Sequence, residues 1–214
     1  MTVLITGANR GIGRALLTRY ESRGETAFGT ARIGTPYLPL DVTKPGDFHA
    51  LKSAVGNQPI DLLICNAGVY LDKGQELNTG FEAADWATTF AANVTGVFQT
   101  IQSLLPNLRA APAAKIAIIS SQMASQTLAP GGSYIYRASK AAALNLGRNL
   151  ATDLRGEGIA VGIYHPGWVK TDMGGSEADI TLDQSADGLV ARFDELSLAT
   201  TGCFRTWDGA DHPY

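Results

Sequence analysis

Tyr136 and Lys140 are the two side chains whose chemistry and spacing point most directly to catalysis. They are four residues apart in an alanine- and leucine-rich run that predicts a helix, so they share one helix face. Ser133 precedes this run and is a candidate N-cap. An ammonium close to a phenol favours the phenolate, and such a tyrosine can act as a general acid or base. The same spacing occurs by chance on many helices, so other residues of the chain are needed to decide whether this pair is catalytic.

The composition narrows the class of protein. The chain has 214 residues, is 45% hydrophobic and carries a net charge of −3, which suits one domain over residues 1–214. Without a basic excess we expect no nucleic-acid partner, and without a long apolar stretch we expect no membrane partner. Cys65 and Cys203, the only cysteines, fit a reducing cytoplasm. The three histidines are scattered and match no metal-site spacing, so we expect no metal.

A glycine-rich segment, residues 7–13, follows a short β-branched run and precedes a helical pattern. Strand, glycine-rich turn and helix form the context of a dinucleotide site, because glycines let the backbone approach a pyrophosphate and the helix offers free N–H groups. No P-loop pattern is present, which disfavours a P-loop nucleotidase. The residues expected to contact a cofactor here are Gly7, Asn9, Arg10, Ile12 and Gly13.

Arg32 ends the second predicted strand, at the position that usually selects the cofactor. An acidic residue about 20 positions after the glycine loop binds a ribose 2′-hydroxyl, whereas an arginine accommodates a 2′-phosphate. Arg10 adds a second cation. The sequence therefore favours NADP(H), and NAD(H) is the alternative if both arginines are solvated surface charges.

The connection after Arg32 is unusually short. Residues 33–36 alone separate it from the next predicted strand, residues 37–42, although a parallel neighbour normally needs a crossover of a dozen or more residues. We expect the helix between the second and third strands to be missing. Asp41 and Val42 then lie at the carboxyl edge of the sheet, where ligands bind in open α/β folds.

Further predicted strands end in small or polar residues at the same edge. Residues 61–65 lead into Asn66-Ala67-Gly68, the strand over residues 115–121 ends in the hydroxyls of Ser120 and Ser121, and residues 159–165 lead into a Pro-Gly loop. Each of these could equally be a turn or a loop cap. Strands alternate with helical patterns throughout, which predicts a single-domain, Rossmann-type doubly wound parallel sheet of about seven strands with helices on both faces.

Asn93 is unusual because it falls inside a long predicted helix, residues 81–108, where asparagine is unfavourable. Gly96 weakens the same helix further. We expect a local kink here, and the functional alternative is a polar group directed into the site.

In order, these segments resemble the short-chain dehydrogenase/reductase family over nearly the whole chain, and the C-factor-type carbonyl reductases within it. The matching motifs are Thr6-Gly7-x-x-x-Gly11-x-Gly13, Asp41, Asn66-Ala67-Gly68, Asn93, Ser121, Tyr136-x-x-x-Lys140 and Pro166-Gly167-x-x-x-Thr171.

The resemblance implies a role for each matching residue. Tyr136 would donate or accept the proton, and Ser121 would hydrogen-bond the substrate carbonyl. Lys140 would hold the nicotinamide ribose and lower the pKa of the tyrosine, and Asn93 would position a water beside it. The cofactor would also contact Asp41, Val42, Asn66, Ala67, Gly68, Pro166, Gly167, Val169 and Thr171, besides Arg32, Tyr136, Lys140 and the glycine-rich segment.

The spacing from Ser121 to Tyr136 is longer than usual in the family, so the intervening loop should bulge. Tyr134 lies nearer the usual spacing, but Ala138 rather than a lysine follows it by one turn. The tyrosine role is therefore assigned to Tyr136.

The stretch after the Pro-Gly loop, residues 174–182, is short and indicates a small or open substrate pocket. Its expected lining is Tyr70, Met123, Leu128, Tyr134, Trp168 and Met173. We expect an NADP(H)-dependent oxidoreductase that interconverts an aldehyde or ketone and an alcohol. The alternative is a cofactor-binding signalling or regulatory protein with little turnover. The family resemblance also implies a homodimer or homotetramer.

Overall fold

The computed structural model describes the whole chain, Met1–Tyr214, and its strands form one parallel sheet. The strands are β1 (Thr2–Ile5), β2 (Thr26–Ala31), β3 (Leu38–Pro39), β4 (Leu62–Cys65), β5 (Lys115–Ile119), β6 (Ala160–His165) and β7 (Phe204–Thr206). Their order across the seven-stranded sheet is β3-β2-β1-β4-β5-β6-β7, and every neighbouring pair is parallel. The predicted doubly wound sheet is confirmed. The strand order reverses between β1 and β4, and ligands bind at such a point.

Helices cover both faces of this sheet. They are α1 (Gly11–Ser22), α2 (Pro45–Val55), α3 (Ala83–Phe90), α4 (Gly96–Arg109), α5 (Tyr134–Arg155) and α6 (Leu182–Glu195). Leu4 of β1 belongs to the core shared with α2, α4 and α5, whereas its neighbours Val3 and Ile5 belong to the core shared with α1 and α6. The central strands are apolar throughout because both faces are buried. No helix is long and apolar enough to cross a membrane.

The connection between β2 and β3 has no helix, as predicted, and residues 32–37 form only bends and turns. The third strand is shorter than the predicted strand over residues 37–42, since only Leu38 and Pro39 pair with β2. Pro39 has no N–H to donate to a ladder, which limits the strand. The N–H of Leu40 nevertheless donates to the Ala31 carbonyl at 2.8 Å, so the chain stays beside β2.

The long helix predicted over residues 81–108 is distorted in its middle. A π-helical turn, Ala91–Thr95, separates α3 from α4, and Asn93 is its central residue. The expected local distortion is therefore confirmed at the predicted residue, and such turns occur often at functional sites. Gly96 follows directly, and a Cβ there would lie 2.8 Å from the Val42 carbonyl oxygen. This glycine lets α4 approach the loop after β3.

Candidate active site

A cavity of about 650 Å³ lies along the carboxyl edge of the sheet, where the strand order reverses. This volume is within the usual range for small-molecule sites. Its wall includes most of the predicted cofactor residues: Gly7, Asn9, Arg10, Ile12, Gly13, Arg32, Asp41, Val42, Asn66, Ala67, Gly68, Tyr136, Lys140, Pro166 and Thr171. No group of three or more His, Cys, Asp and Glu side chains lies together in a way that could hold a metal ion.

Two predicted cofactor residues, Gly167 and Val169, do not line this cavity. Val169 is 3% exposed and pairs its backbone with Ile180. A Cβ on Gly167 would meet Ile180 and Trp207 side-chain atoms at 2.3 and 2.9 Å. Gly167 and Val169 therefore point toward the side chains packed beneath the loop after β6. A later residue of the same loop, Thr171, lines the cavity.

The glycine-rich loop is packed directly against the segment after β4. A Cβ on Gly13 would lie 2.3 Å from the Gly7 carbonyl oxygen and 2.5 Å from Asn66 Nδ2, so only glycine fits. Asn66 Nδ2 donates to the carbonyls of Thr6 and Gly7 at 2.9 and 3.2 Å. The Thr6 hydroxyl oxygen accepts from the N–H groups of Asn66 and Ala67, both at 3.0 Å. These contacts fix the shape of the loop.

The N-terminus of α1 opens into the cavity without a side-chain cap. Arg10 is its N-cap residue and makes no capping bond, and the N–H groups of Gly11, Ile12 and Gly13 have no acceptor in the structure. Free N–H groups at the positive end of a helix bind phosphate groups. Together with the close approach at Gly13, they fit the pyrophosphate of a dinucleotide.

The cavity wall also carries Asp41 and two arginines, Arg10 and Arg32. Burial acts to raise the pKa of Asp41, but hydrogen bonds from the Thr43 side chain and backbone outweigh it, and the pKa is lowered. The positive charges of Lys44 and Arg32 lower it further. Asp41 is therefore ionised at neutral pH and held in place by Thr43.

Arg10 is exposed and forms an ion pair with Asp172 at 3.1 Å. This pair joins the glycine-rich loop to the loop after β6, and both residues line the cavity. Its two side chains are more than half exposed, so the pair contributes little to stability. The guanidinium remains available to an anionic ligand that competes with Asp172.

Tyr136 and Lys140 lie on the buried face of α5 and line the same cavity as the N-terminus of α1. Lys140 Nζ is 5.6 Å from the centre of the Tyr136 ring and donates to the Ile119 carbonyl at 3.0 Å. Burial lowers the pKa of Lys140 to about 8. Burial also raises the pKa of Tyr136, and the neighbouring Ser121 hydroxyl acts in the opposite direction.

The pKa of Tyr136 corrects one expectation from the sequence, which was that the nearby ammonium would lower it. Both side chains are buried, and loss of hydration disfavours the charged form of each. The ammonium is bound to a backbone carbonyl, and it does not offset the burial of the phenol. Tyr136 is therefore a protonated phenol at neutral pH.

Ser121 follows β5 directly and is buried beside Tyr136. Its hydroxyl oxygen accepts from the Met123 N–H at 3.1 Å and caps a short 3₁₀ turn, Gln122–Ala124. The extra residues between Ser121 and Tyr136 are accommodated by this turn and by Gly131 and Gly132, which both have left-handed backbone conformations. Ser120, the neighbouring candidate, donates instead to the Lys140 carbonyl at 3.0 Å.

Asn93 is 1% exposed and lies behind the cavity wall. Its Nδ2 donates to the Val69 carbonyl at 2.9 Å and to Ser139 Oγ at 3.0 Å, and its Oδ1 accepts from the Val69 N–H at 2.8 Å. A Cβ on Gly68 would lie 3.0 Å from Asn93 Oδ1 and 3.6 Å from Lys140 Nζ. Asn93 thus joins the segment after β4 to the helix that carries Tyr136 and Lys140.

The first turn of α5 is capped by a residue that sequence reasoning missed. Ser133 occupies the predicted N-cap position, with φ +48°, but its side chain makes no capping hydrogen bond. Asp72 accepts instead from the N–H groups of Ile135 and Tyr136, at 2.8 and 3.2 Å. No local pattern could reveal this contact, because Asp72 precedes Ile135 by 63 residues.

The predicted substrate lining is only partly found, since Met173 lines the cavity and the other predicted residues do not. The ring of Tyr70 stacks on Tyr136 at 4.2 Å, and that of Tyr134 packs edge-on against Phe81 at 5.1 Å. Trp168 Nε1 donates to the Gly174 carbonyl at 3.0 Å. Met123 and Leu128 also lie outside the wall. The sequence missed the cavity residues Thr88, Ala92, Lys170, Ser176 and Leu182, which no motif marks.

Comparison with known proteins agrees with this arrangement. A family described as short chain dehydrogenase matches residues 1–180. The chain is 37% identical to the C-signal protein of Myxococcus xanthus over 78% of this chain and 99% of that protein. It is 32% identical to 1-hydroxy-2-glutathionyl-2-methyl-3-butene dehydrogenase of Rhodococcus sp. (strain AD45), over 97% of both chains.

Among solved structures, the chain resembles NADPH-bound carbonyl reductase from chicken fatty liver. The TM-score is 0.89 at 29% identity, covering all of this chain and 98% of the other. The family match spans the glycine-rich loop and the Tyr136–Lys140 pair, and the resemblance in fold extends over the whole sheet. This chain therefore belongs to the short-chain dehydrogenase family of oxidoreductases.

Proposed function

We propose that this protein is an NADP(H)-dependent oxidoreductase that interconverts an aldehyde or ketone and an alcohol, with Tyr136 as general acid and base. One observation carries the proposal: a single cavity connects the uncapped N-terminus of α1 to Tyr136 and Lys140. A dinucleotide held by its pyrophosphate at the first end can extend to the second. The resemblance to an NADPH-bound carbonyl reductase supports the same reading.

When bound, the cofactor supplies or accepts the hydride, and the chain positions it and manages one proton. The N–H groups of the α1 N-terminus would hold the pyrophosphate, and Asp41 and Val42 would contact the adenine end. Lys140, with a pKa of about 8, is mostly protonated at neutral pH and donates hydrogen bonds to the nicotinamide ribose. Asn93 positions a water beside it.

Tyr136 transfers the proton at the other end of the cavity. Its hydroxyl donates to the carbonyl oxygen during reduction and accepts from the alcohol during oxidation, while Ser121 Oγ hydrogen-bonds the same oxygen. Because burial raises the pKa of Tyr136, the phenol is in its acid form at neutral pH. The phenol therefore carries the proton that reduction of a carbonyl requires.

The preference for NADP(H) rests on Arg10 and Arg32. Both side chains are exposed and line the adenine half of the cavity, where a ribose 2′-phosphate would lie. Asp41, the acidic residue nearby, accepts two hydrogen bonds from Thr43. The missing helix between β2 and β3 leaves this side of the cavity open to solvent. Arg10 and Arg32 would therefore attract the 2′-phosphate from exposed positions at the rim of the cavity.

The similarity to the C-signal protein favours a second candidate, a cofactor-binding signalling or regulatory protein with little turnover. A protein that only binds a cofactor has no need for a buried tyrosine beside a second buried hydroxyl, that of Ser121. Steady-state turnover of simple aldehydes and ketones with NADPH separates the two functions. Measurable turnover supports the enzyme, whereas binding without turnover supports the second candidate.

The first experiment is titration of the purified protein with NADPH and NADH, followed by fluorescence at several salt concentrations. We expect NADPH to bind about tenfold or more tightly than NADH, because a charge-assisted bond contributes about 1.5–3 kcal/mol. The preference should weaken with salt, which screens exposed charges. Equal affinities would contradict the role of the arginines, and binding of neither cofactor would contradict the enzyme.

A further inference from the structure

The segment directly after Asn66-Ala67-Gly68 contacts the first turn of α5 at three points. The ring of Tyr70 stacks on that of Tyr136 at 4.2 Å. The Tyr70 hydroxyl hydrogen-bonds Ser133 Oγ. The Asp72 carboxylate accepts from the N–H groups of Ile135 and Tyr136. The backbone of Tyr136 is therefore held from outside its own helix.

Asp72 is 1% exposed, and it forms no ion pair. A buried carboxylate without a cation is costly unless hydrogen bonds satisfy it. The N–H groups of Ile135 and Tyr136 are the donors it has, at the positive end of a helix of 22 residues. Ser133, at φ +48°, leaves these donors to Asp72.

We propose that Asp72 is a positioning residue, which fixes the depth and direction of Tyr136 by holding the first turn of α5. The inference rests on the proposed function, because it concerns the proton transfer assigned to Tyr136. A helix end that moves by one ångström moves the phenol by a similar distance, and such displacements can lower a rate about 100-fold. The buried charge of Asp72 also acts on the same phenol.

The charge of Asp72 opposes ionisation of Tyr136. The groups that face the phenol are Tyr70, Asp72, Ser121 and Lys140. Burial is the largest cause of the raised pKa of Tyr136, and the charge of Asp72 raises it further. The Ser121 hydroxyl acts against both. Removing the charge of Asp72 therefore lowers the pKa of Tyr136, and a purely mechanical cap would not have this effect.

The test compares Asp72→Asn with Asp61→Asn, a matched control. Asp61 accepts from the Thr2 N–H at 2.6 Å next to β4, at the amino edge of the sheet away from the cavity. For Asp72→Asn we expect kcat for NADPH-dependent reduction to fall about tenfold, with KM changed less than about threefold. The pKa of Tyr136 should be lower in Asp72→Asn than in the wild type, which moves the alkaline part of the pH profile that belongs to Tyr136 to lower pH. Asp61→Asn should keep the wild-type pH profile.

The Asp72→Glu variant separates the effect of the position of the carboxylate from the effect of its charge. It keeps the carboxylate but displaces it by one methylene, so we expect a lower kcat with an unchanged pH profile. An unchanged kcat and pH profile in Asp72→Asn would overturn the inference, and so would equal effects of Asp72→Asn and Asp61→Asn. A wild-type kcat in Asp72→Glu would overturn the positional part, and this variant retains the test if Asp72→Asn does not fold.

Amide hydrogen exchange at Ile135 and Tyr136 provides a readout that does not depend on turnover. We expect faster exchange at these two amides in Asp72→Asn than in the wild type or Asp61→Asn. Equal protection in all three proteins would overturn the inference even if the enzyme is active. Failure of the wild type to reduce any carbonyl would instead contradict the proposed function, while the exchange result would still decide whether Asp72 holds the helix.

Discussion

Replacing Asn93 with alanine removes three hydrogen bonds from the junction between the π-helical turn, the segment after β4 and α5. Two join Asn93 to the backbone of Val69 at 2.8 and 2.9 Å, and the third joins it to Ser139 Oγ at 3.0 Å. The Val69 N–H and carbonyl lose these partners in the variant. Gly68, which lies between Asn93 and Lys140, loses the Asn93 side chain as a packing neighbour.

The size of the effect follows from these contacts. Each intramolecular hydrogen bond contributes about 0.5–1.5 kcal/mol, so three of them amount to about 3 kcal/mol of unfolding free energy. We also expect kcat to fall by about 10- to 100-fold, because the backbone beside Lys140 is no longer fixed. The Asn93→Ala variant should therefore have both a lower unfolding free energy and a lower kcat than the wild type.

Asn107→Ala is the control for this variant. Asn107 is also buried, and its Nδ2 donates to the carbonyls of Gly56 and Gln58, both at 2.8 Å, far from the cavity. Its loss should cost about 2 kcal/mol and leave kcat within about twofold. Urea unfolding gives the stabilities, and steady-state kinetics give kcat. A stability loss below about 0.5 kcal/mol in Asn93→Ala, or a loss of kcat no larger than that in Asn107→Ala, would refute the reasoning.

Three further predictions concern the two ends of the cavity. Replacing Arg10 and Arg32 together with alanine should weaken NADPH binding about tenfold or more and change NADH binding less than about threefold, and equal losses in fluorescence titrations would contradict a 2′-phosphate role. Gly13→Ala would place a Cβ 2.3 Å from the Gly7 carbonyl oxygen, so urea unfolding should show a loss of about 2 kcal/mol or more with no detectable cofactor binding. A stable variant that binds NADPH would contradict this close packing. Burial lowers the pKa of Lys140 from 10.5 to about 8, so the unfolded chain binds more protons between these pH values and the unfolding free energy of the wild type should rise with pH there. Lys140→Met should lack that contribution, and identical pH slopes in urea unfolding of the two proteins would disprove it.

The sequence predicted best what local geometry determines. The four-residue spacing of Tyr136 and Lys140 places them on one face of any helix, and the glycine-rich turn after β1 has one common use. The short connection after Arg32 could not contain a helix, and the structure has none there. Asn93 was unfavourable in a regular helix, and the structure places it in a π-helical turn.

The missed features depend on contacts between distant parts of the chain. Asp72 meets the N-terminus of α5 across 63 residues, and Arg10 meets Asp172 across 162. The direction of the pKa shift of Tyr136 depends on burial, which residue spacing does not reveal. The predicted substrate lining matches the wall of this cavity only at Met173, because the course of a loop decides whether a side chain such as Trp168 reaches the cavity.

Tyr136→Phe tests the central claim most directly. Phenylalanine keeps the ring that stacks on Tyr70 at 4.2 Å and removes only the hydroxyl, so the fold and the cofactor cradle should remain. We expect kcat for carbonyl reduction with NADPH to fall by about 10²–10⁴-fold, the usual contribution of a general acid, while the NADPH dissociation constant changes less than about threefold. Turnover close to that of the wild type would show that Tyr136 is not the proton donor and would contradict the account.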